Sequence, residues 1–237
     1  MKITRLLTEK EHRPWELPSK PWQYYQEWNQ AIFLHWEVDP DTLRKWVPET
    51  LELDLIDGKA WISIVAFTMD KVRPRNLPAF SPVSTFDELN VRTYVRRNGK
   101  AGVHFIHIQA GNKLSTFLAR ILSGLPYRYA SMERKKNDFT ATNERRKNKF
   151  HVEYTIEHVN ASKSTLDKWL TERYAVFQGA RRKVLTYNVH HVEWPLNNVT
   201  IDKLTVEYRA IRDLFDRPPD LAHYSPGVQV LTWGRNK

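Results

Sequence analysis

Apolar and polar positions change period several times along this chain, and those changes outline its elements. From Phe86 to Arg96 the two kinds alternate. Leu89, Val91, Thr93 and Val95 fall on one side of an extended segment, and Glu88, Asn90, Arg92 and Tyr94 fall on the other. Further runs rich in Val, Ile, Thr, Tyr and Trp predict strands at 23–28, 32–38, 60–70, 88–96, 103–109 and 127–135, and then at 139–144, 150–159, 175–177, 183–194 and 199–208. Three segments carry helix signals. Asp39 is a candidate N-cap with Pro40 at the first helical position, which predicts a short helix to Val47, before Pro48. After Asn112, the residues Leu114, Phe117, Leu118, Ile121 and Leu122 share one helical face, and Gly124 supplies a C-terminal cap. A third helix is expected at 164–172.

Many strands and few, short helices predict a β-rich α+β fold, either a curved sheet or a β-barrel around a central cavity. Proline marks turns through the first half of the chain, and the three prolines of 73–82 read as a loop within a domain rather than a linker. With no repeat or low-complexity segment, residues 1–237 are expected to form a single domain.

Composition narrows the setting. Apolar residues make up 41% of the chain, enough for a sizeable core, and nine Trp suggest bulky side chains filling it or lining a pocket. There is no Cys, which excludes disulfides and thiolate metal sites and suits a reducing, cytoplasmic compartment. The first fifteen residues lack the apolar core of a signal peptide, and the longest apolar stretch, near Trp61, is too short to span a bilayer. The net charge of +10 raises the question of nucleic acid. The basic residues, however, lie in separate clusters at Arg96-Arg97, Arg134-Lys135-Lys136, Arg145-Arg146-Lys147 and Arg181-Arg182-Lys183. They are expected to be solvated strand ends and hairpin tips, without the continuous footprint of a phosphate-binding surface.

The polar side of the 86–96 strand offers the chemistry. If it faces a barrel interior, Glu88, Asn90, Arg92 and Tyr94 present a carboxylate, an amide, a guanidinium and a phenol to one space; if it faces solvent, the alternation is that of any half-exposed strand. His104 and His107 point to opposite faces, as do His190 and His191, so neither pair chelates one metal from a regular strand. His35 is expected to be a hydrogen-bonded core residue. No nucleophile elbow, P-loop, dinucleotide fingerprint or metal motif is present, and nothing calls for a cofactor.

Several strings together resemble the YqjF-like family of uncharacterised proteins, a domain-of-unknown-function family. They include His12-Arg13-Pro14-Trp15, Phe33-Leu34-His35-Trp36, Asp57-Gly58-Lys59-Ala60-Trp61, Glu88-Leu89-Asn90-Val91-Arg92-Thr93-Tyr94 and Leu125-Pro126-Tyr127. Later come Leu170-Thr171-Glu172-Arg173-Tyr174, Trp194-Pro195-Leu196 and His223-Tyr224-Ser225. Through a weaker similarity the resemblance implies an acetoacetate-decarboxylase-like fold, a curved sheet or barrel around a cavity. In those decarboxylases a Lys just after the Pro of the Leu-Pro element forms a Schiff base with substrate. Here Pro126 is followed by Tyr127 and Arg128, and Arg cannot act as a neutral amine. Asn29 and Val65 fall near the positions of two further decarboxylase residues, an Arg and a Glu, and only Glu88 matches an active-site carboxylate.

These readings leave two functions open, an enzyme acting on a small organic acid or carbonyl compound and a non-catalytic small-molecule-binding protein. For the enzyme, Glu88 is the acid/base candidate, Arg92 or Arg128 a carboxylate anchor and Tyr94 or Tyr127 a hydrogen-bond donor, with Asn90 and Arg120 as further ligand contacts. A homo-oligomer remains open, and a nucleic-acid or membrane partner is not expected.

Overall fold

The computed structural model describes residues 3–180 and 183–234, so two members of the Arg181-Arg182-Lys183 cluster lie outside the described residues. The first half contributes β1 (Tyr24–Val38), β2 (Glu52–Leu53), β3 (Ala60–Pro74), β4 (Phe86–Arg97) and β5 (Lys100–Ala110). Next come β6 (Arg128–Tyr129), β7 (Ser131–Lys135), β8 (Asp138–Asn143) and β9 (Asn148–Val159). The remainder is β10 (Ala175–Ala180), β11 (Lys183–His190), β12 (Asn197–Glu207) and β13 (Leu221–Thr232). The helices are α1 (Ile3–Thr8), α2 (Pro40–Arg44), α3 (Ser81–Ser84), α4 (Lys113–Ser123) and α5 (Thr165–Thr171).

The strands form one large curved sheet. Its hydrogen-bonded path runs β1-β3-β4-β5-β10-β11-β13, and a further β1–β13 pairing closes that path into a ring. From β13 the sheet continues outward as β12-β9-β8-β7, a wing folded back over the ring. Period-2 alternation explains how the two parts share the same strands. Ile32 and Leu34 of β1, Ile62 and Ile64 of β3, and Leu89 and Val91 of β4 pack outward against Phe139, Phe150 and Val152 of the wing. On the opposite parity of the same strands, Phe33, Val65, Phe67 and Phe86 point into the ring. These strands are buried on both faces, which is why β3 reads as a nearly unbroken apolar run.

The helix ends follow the local chemistry. Asp39 accepts from Thr42 N, Asn112 accepts from Ser115 N, and Ser164 and Asp167 form a reciprocal capping box. Gly124 ends α4 in the left-handed region at φ 74°.

Several features differ from the sequence expectation. The predicted strands at 23–28 and 32–38 are one strand with a bulge, where Gln30 takes φ 51° and the pairing with β3 shifts between Asn29 and Ile32. Strand β13, which carries Pro226 and Gly227, lies in a segment where no strand is predicted, yet it closes the ring. There Gly227, at φ 137°, lies so near β1 that a Cβ would sit 2.5 Å from Trp28 O. Helix α4 turns its apolar face outward: Leu114, Phe117, Ile121 and Leu122 are exposed, whereas Ser115 and Thr116 are buried. It lies over the ring mouth rather than on the core, and Ser115 Oγ donates to Val83 O. Arg134 is not a solvated hairpin tip. It is buried against the Phe139 ring and paired with Asp87 at 3.2 Å.

Candidate functional site

The ring encloses a cavity of about 180 Å³, walled chiefly by apolar and aromatic side chains such as Phe33, Val65, Phe67, Phe86 and Phe105. Glu88, Asn90 and Arg92 enter it from β4 because they occupy the inward parity of a strand whose other parity packs against the wing. Tyr127 reaches it from the chain following α4, and Arg173, His191 and Trp194 close the far side.

Glu88 is 2% exposed. Its Oε2 accepts from the Tyr127 hydroxyl at 2.7 Å and its Oε1 from Asn90 Nδ2 at 3.2 Å. Burial disfavours the charged carboxylate, and this outweighs the two donors and nearby Arg92, so the pKa is pushed up to about 7. The carboxyl is therefore poised to give or take a proton near neutrality. Burial, with the Glu88 charge, drives the Tyr127 phenol well above its usual value, so Tyr127 stays a donor. His191 is pushed down to about 3 by burial and remains neutral.

Two guanidiniums face the cavity in different circumstances. Arg173 Nη1 is paired with the buried Asp54 at 2.5 Å. Arg92 lies 5.6 Å from the Phe33 ring centroid, and one Nη donates to Leu170 O at 3.3 Å. Among the described residues Arg92 has no carboxylate within ion-pair distance, and its buried Nε has no hydrogen-bond partner.

The remaining candidates are placed differently. Tyr94 shares the inward face of β4 but lies outside the cavity wall. It is fully buried beside Trp169 and under Arg173, with its hydroxyl donating to Leu170 O at 2.9 Å. The same hydroxyl meets Ser63 Oγ, which also bonds His35 Nδ1 at 2.7 Å, so His35 is a hydrogen-bonded core residue. Arg128 does not open onto the cavity. Neighbours on an extended segment diverge, so Tyr127 turns in while Arg128 turns out, into a separate surface cleft that also holds Arg120. Of the two decarboxylase-register positions, Val65 lines the cavity, whereas Asn29 bonds Asp70 at 2.9 Å.

Among the described residues no lysine lines the cavity. A trio with ligand atoms within 4.8 Å of one another, Asp138, His151 and Glu153, lies on the wing. Glu153 also meets Lys203 at 3.2 Å, and the trio forms part of a surface ion-pair network. Sequence reasoning missed Arg173 as a wall residue, although it lies in the Leu-Thr-Glu-Arg-Tyr string. It also missed Trp28, which stacks on Trp194 at 6.0 Å.

The family model for domain of unknown function 2071, described as uncharacterized conserved protein, matches residues 25–229. The uncharacterized protein YqjF of Bacillus subtilis (strain 168) is 36% identical over 232 residues, which cover 93% of this chain and 95% of that protein. Among solved structures, an acetoacetate decarboxylase-like enzyme from Sphingomonas wittichii RW1 superposes with a TM-score of 0.64 at 12% identity, covering 92% of this chain and 94% of that one. The enduracididine biosynthesis enzyme MppR complexed with pyruvate superposes with a TM-score of 0.54 at 11% identity, covering 94% and 90%. These structural likenesses establish the acetoacetate-decarboxylase-like fold.

Proposed function

The chain belongs to the family of uncharacterized conserved proteins that includes YqjF, and from that premise we propose that it is an enzyme transferring protons on a small oxo acid held in the ring cavity. The observation that carries this reading is Glu88, a cavity-wall carboxyl with its pKa pushed up to about 7. Arg92 supplies the second half. A buried guanidinium lacking a carboxylate partner among the described residues is matched by a ligand carboxylate, whose two oxygens meet its planar N–H fork. The cavity volume of about 180 Å³ suits a ligand smaller than the ~300–1,000 Å³ pockets of drug-sized molecules.

With the acid anchored on Arg92, the apolar wall holds its carbon skeleton and Glu88 exchanges a proton with the carbon beside the carbonyl. Tyr127 and Asn90 donate to Glu88 and fix its orientation. That a structural neighbour was solved with pyruvate is consistent with an oxo-acid ligand. Schiff-base chemistry is not part of the proposal, because Tyr127-Arg128 stands where the decarboxylases carry their lysine.

The test is proton exchange in deuterated water. The protein is incubated with pyruvate and with acetoacetate, and loss of the carbon-bound proton signals is followed by NMR. Exchange that rises as Glu88 ionises through pH about 7, and that is abolished in Glu88→Gln with binding retained, supports the enzyme. Saturable quenching of Trp28 and Trp194 fluorescence without exchange would instead mark a binding protein. Native mass spectrometry of protein purified from its own host would identify a retained acid.

A further inference from the structure

Next to the ring, α4 and the β8–β9 connection bound a cleft of about 710 Å³ into which Lys113, Arg120, Arg128, Arg145 and Arg146 all converge. The cleft lining contains one acidic residue, Glu144. Among the described residues none of the five cations is in an ion pair. Four guanidiniums from three separate segments therefore share the same space, and burial, followed by the nearby Arg146, Arg120 and Arg145, lowers the Arg128 pKa.

All five side chains are exposed, and a cleft lined by one sign of charge focuses its field and concentrates a ligand of opposite sign. The shape and chemistry narrow that ligand. Arginines, with planar N–H forks, match the oxygens of phosphate better than point charges do. The charges converge on a concavity rather than running along a face, which suits a compact polyanion and not a nucleic-acid strand. Phe117 and Tyr129, both largely exposed, lie in the same cleft and offer an apolar surface beside the charges. Its volume falls within the ~300–1,000 Å³ typical of small-molecule sites.

We propose that this cleft is a second ligand site, binding the phosphate groups of a small phosphorylated organic molecule through Arg120, Arg128, Arg145 and Arg146, with the organic part against Phe117. Tyr127 lines both this cleft and the ring cavity, so the two sites share one wall.

The experiment is calorimetric titration of the full chain with inorganic pyrophosphate, adenosine triphosphate, adenosine and a long RNA, at ~150 mM salt to screen weak surface attraction. The variants are Arg128→Gln/Arg146→Gln, and Arg212→Gln as a control that removes an exposed charge already paired with Asp213. The expected result is one saturable site for adenosine triphosphate, weaker for pyrophosphate and absent for adenosine. The double variant should lose affinity by about tenfold or more while the control keeps it. Circular dichroism and thermal melting of the double variant must match the wild type; if they do not, the single variants Arg128→Lys and Arg146→Lys, which retain charge but not the fork, are titrated instead and should each weaken binding. Absence of saturable binding, equal loss in the control, or binding confined to long RNA would overturn the proposal.

Discussion

The Tyr127 hydroxyl donates to Glu88 Oε2 across 2.7 Å, joining the chain that follows α4 to the inward face of β4. The contact spans the segment that resemblance aligns with the decarboxylase lysine. Where that lysine would meet substrate, this chain has a phenol that orients a carboxyl.

The buried carboxyl should leave a signature in stability. Because its folded pKa of about 7 lies above the ordinary 4.5, Glu88 contributes stability that is fully present below pH 4.5 and lost as pH rises through 7. Urea denaturation from pH 5 to 8 should show the wild type losing about 2.5 kcal/mol relative to Glu88→Gln. A pH-independent difference between the two would place the Glu88 pKa in the ordinary range.

Arg92 should govern affinity rather than folding. Replacing it with Leu removes a buried cation without a carboxylate partner among the described residues and retains a side chain suited to an apolar wall. Binding of oxo acids, followed by tryptophan fluorescence, should weaken about 10–100-fold, the worth of a charge-assisted hydrogen bond or two. Thermal stability should hold or rise. Unchanged affinity would move the carboxylate anchor elsewhere.

Covalent trapping should fail. With no lysine lining the cavity among the described residues, incubation with acetoacetate and borohydride should leave the intact mass unchanged. A single reduced adduct on one lysine would show that a Schiff base forms after all.

Asp54 should be among the costlier positions to alter. It is buried between Arg173 and Arg96, at 2.5 and 2.6 Å. Asp54→Ala leaves Arg173 charged and unpaired in the interior, and a loss of about 3–5 kcal/mol is expected in chemical denaturation. Replacing Asp54 and Arg173 together with apolar residues should recover part of it.

How much of this was legible beforehand depends on the range of the interaction involved. The two faces of β4 could be read because side-chain alternation is local, although alternation does not say which face points inward, and the start of α2 could be read because its cap is one side chain bonding a nearby N–H. Strand β13 was hidden by Pro226 and Gly227, whose meaning depends on β1 approaching from far away in sequence. The same period-2 rule that located Glu88 separates Tyr127 from Arg128, whereas the resemblance grouped them. The outward apolar face of α4 had no sequence signal, since periodicity shows that a face exists and not where it points. The burial of Arg134 depended on Asp87, and no local pattern records a cross-sheet partner.

The closure of the ring bears on how the chain is made. Strand β1 is bonded on one side to β3, which follows closely, and on the other to β13, with Tyr24 opposite Thr232. During synthesis β1 emerges before the other described strands, and its second edge has no native partner until β13 follows. Until β13 arrives, the ring cannot close around its aromatic lining and one edge of β1 lacks its native partner, an exposure that favours mispairing. Long-range pairing of this kind slows folding, because loop-closure entropy must be overcome before those contacts form.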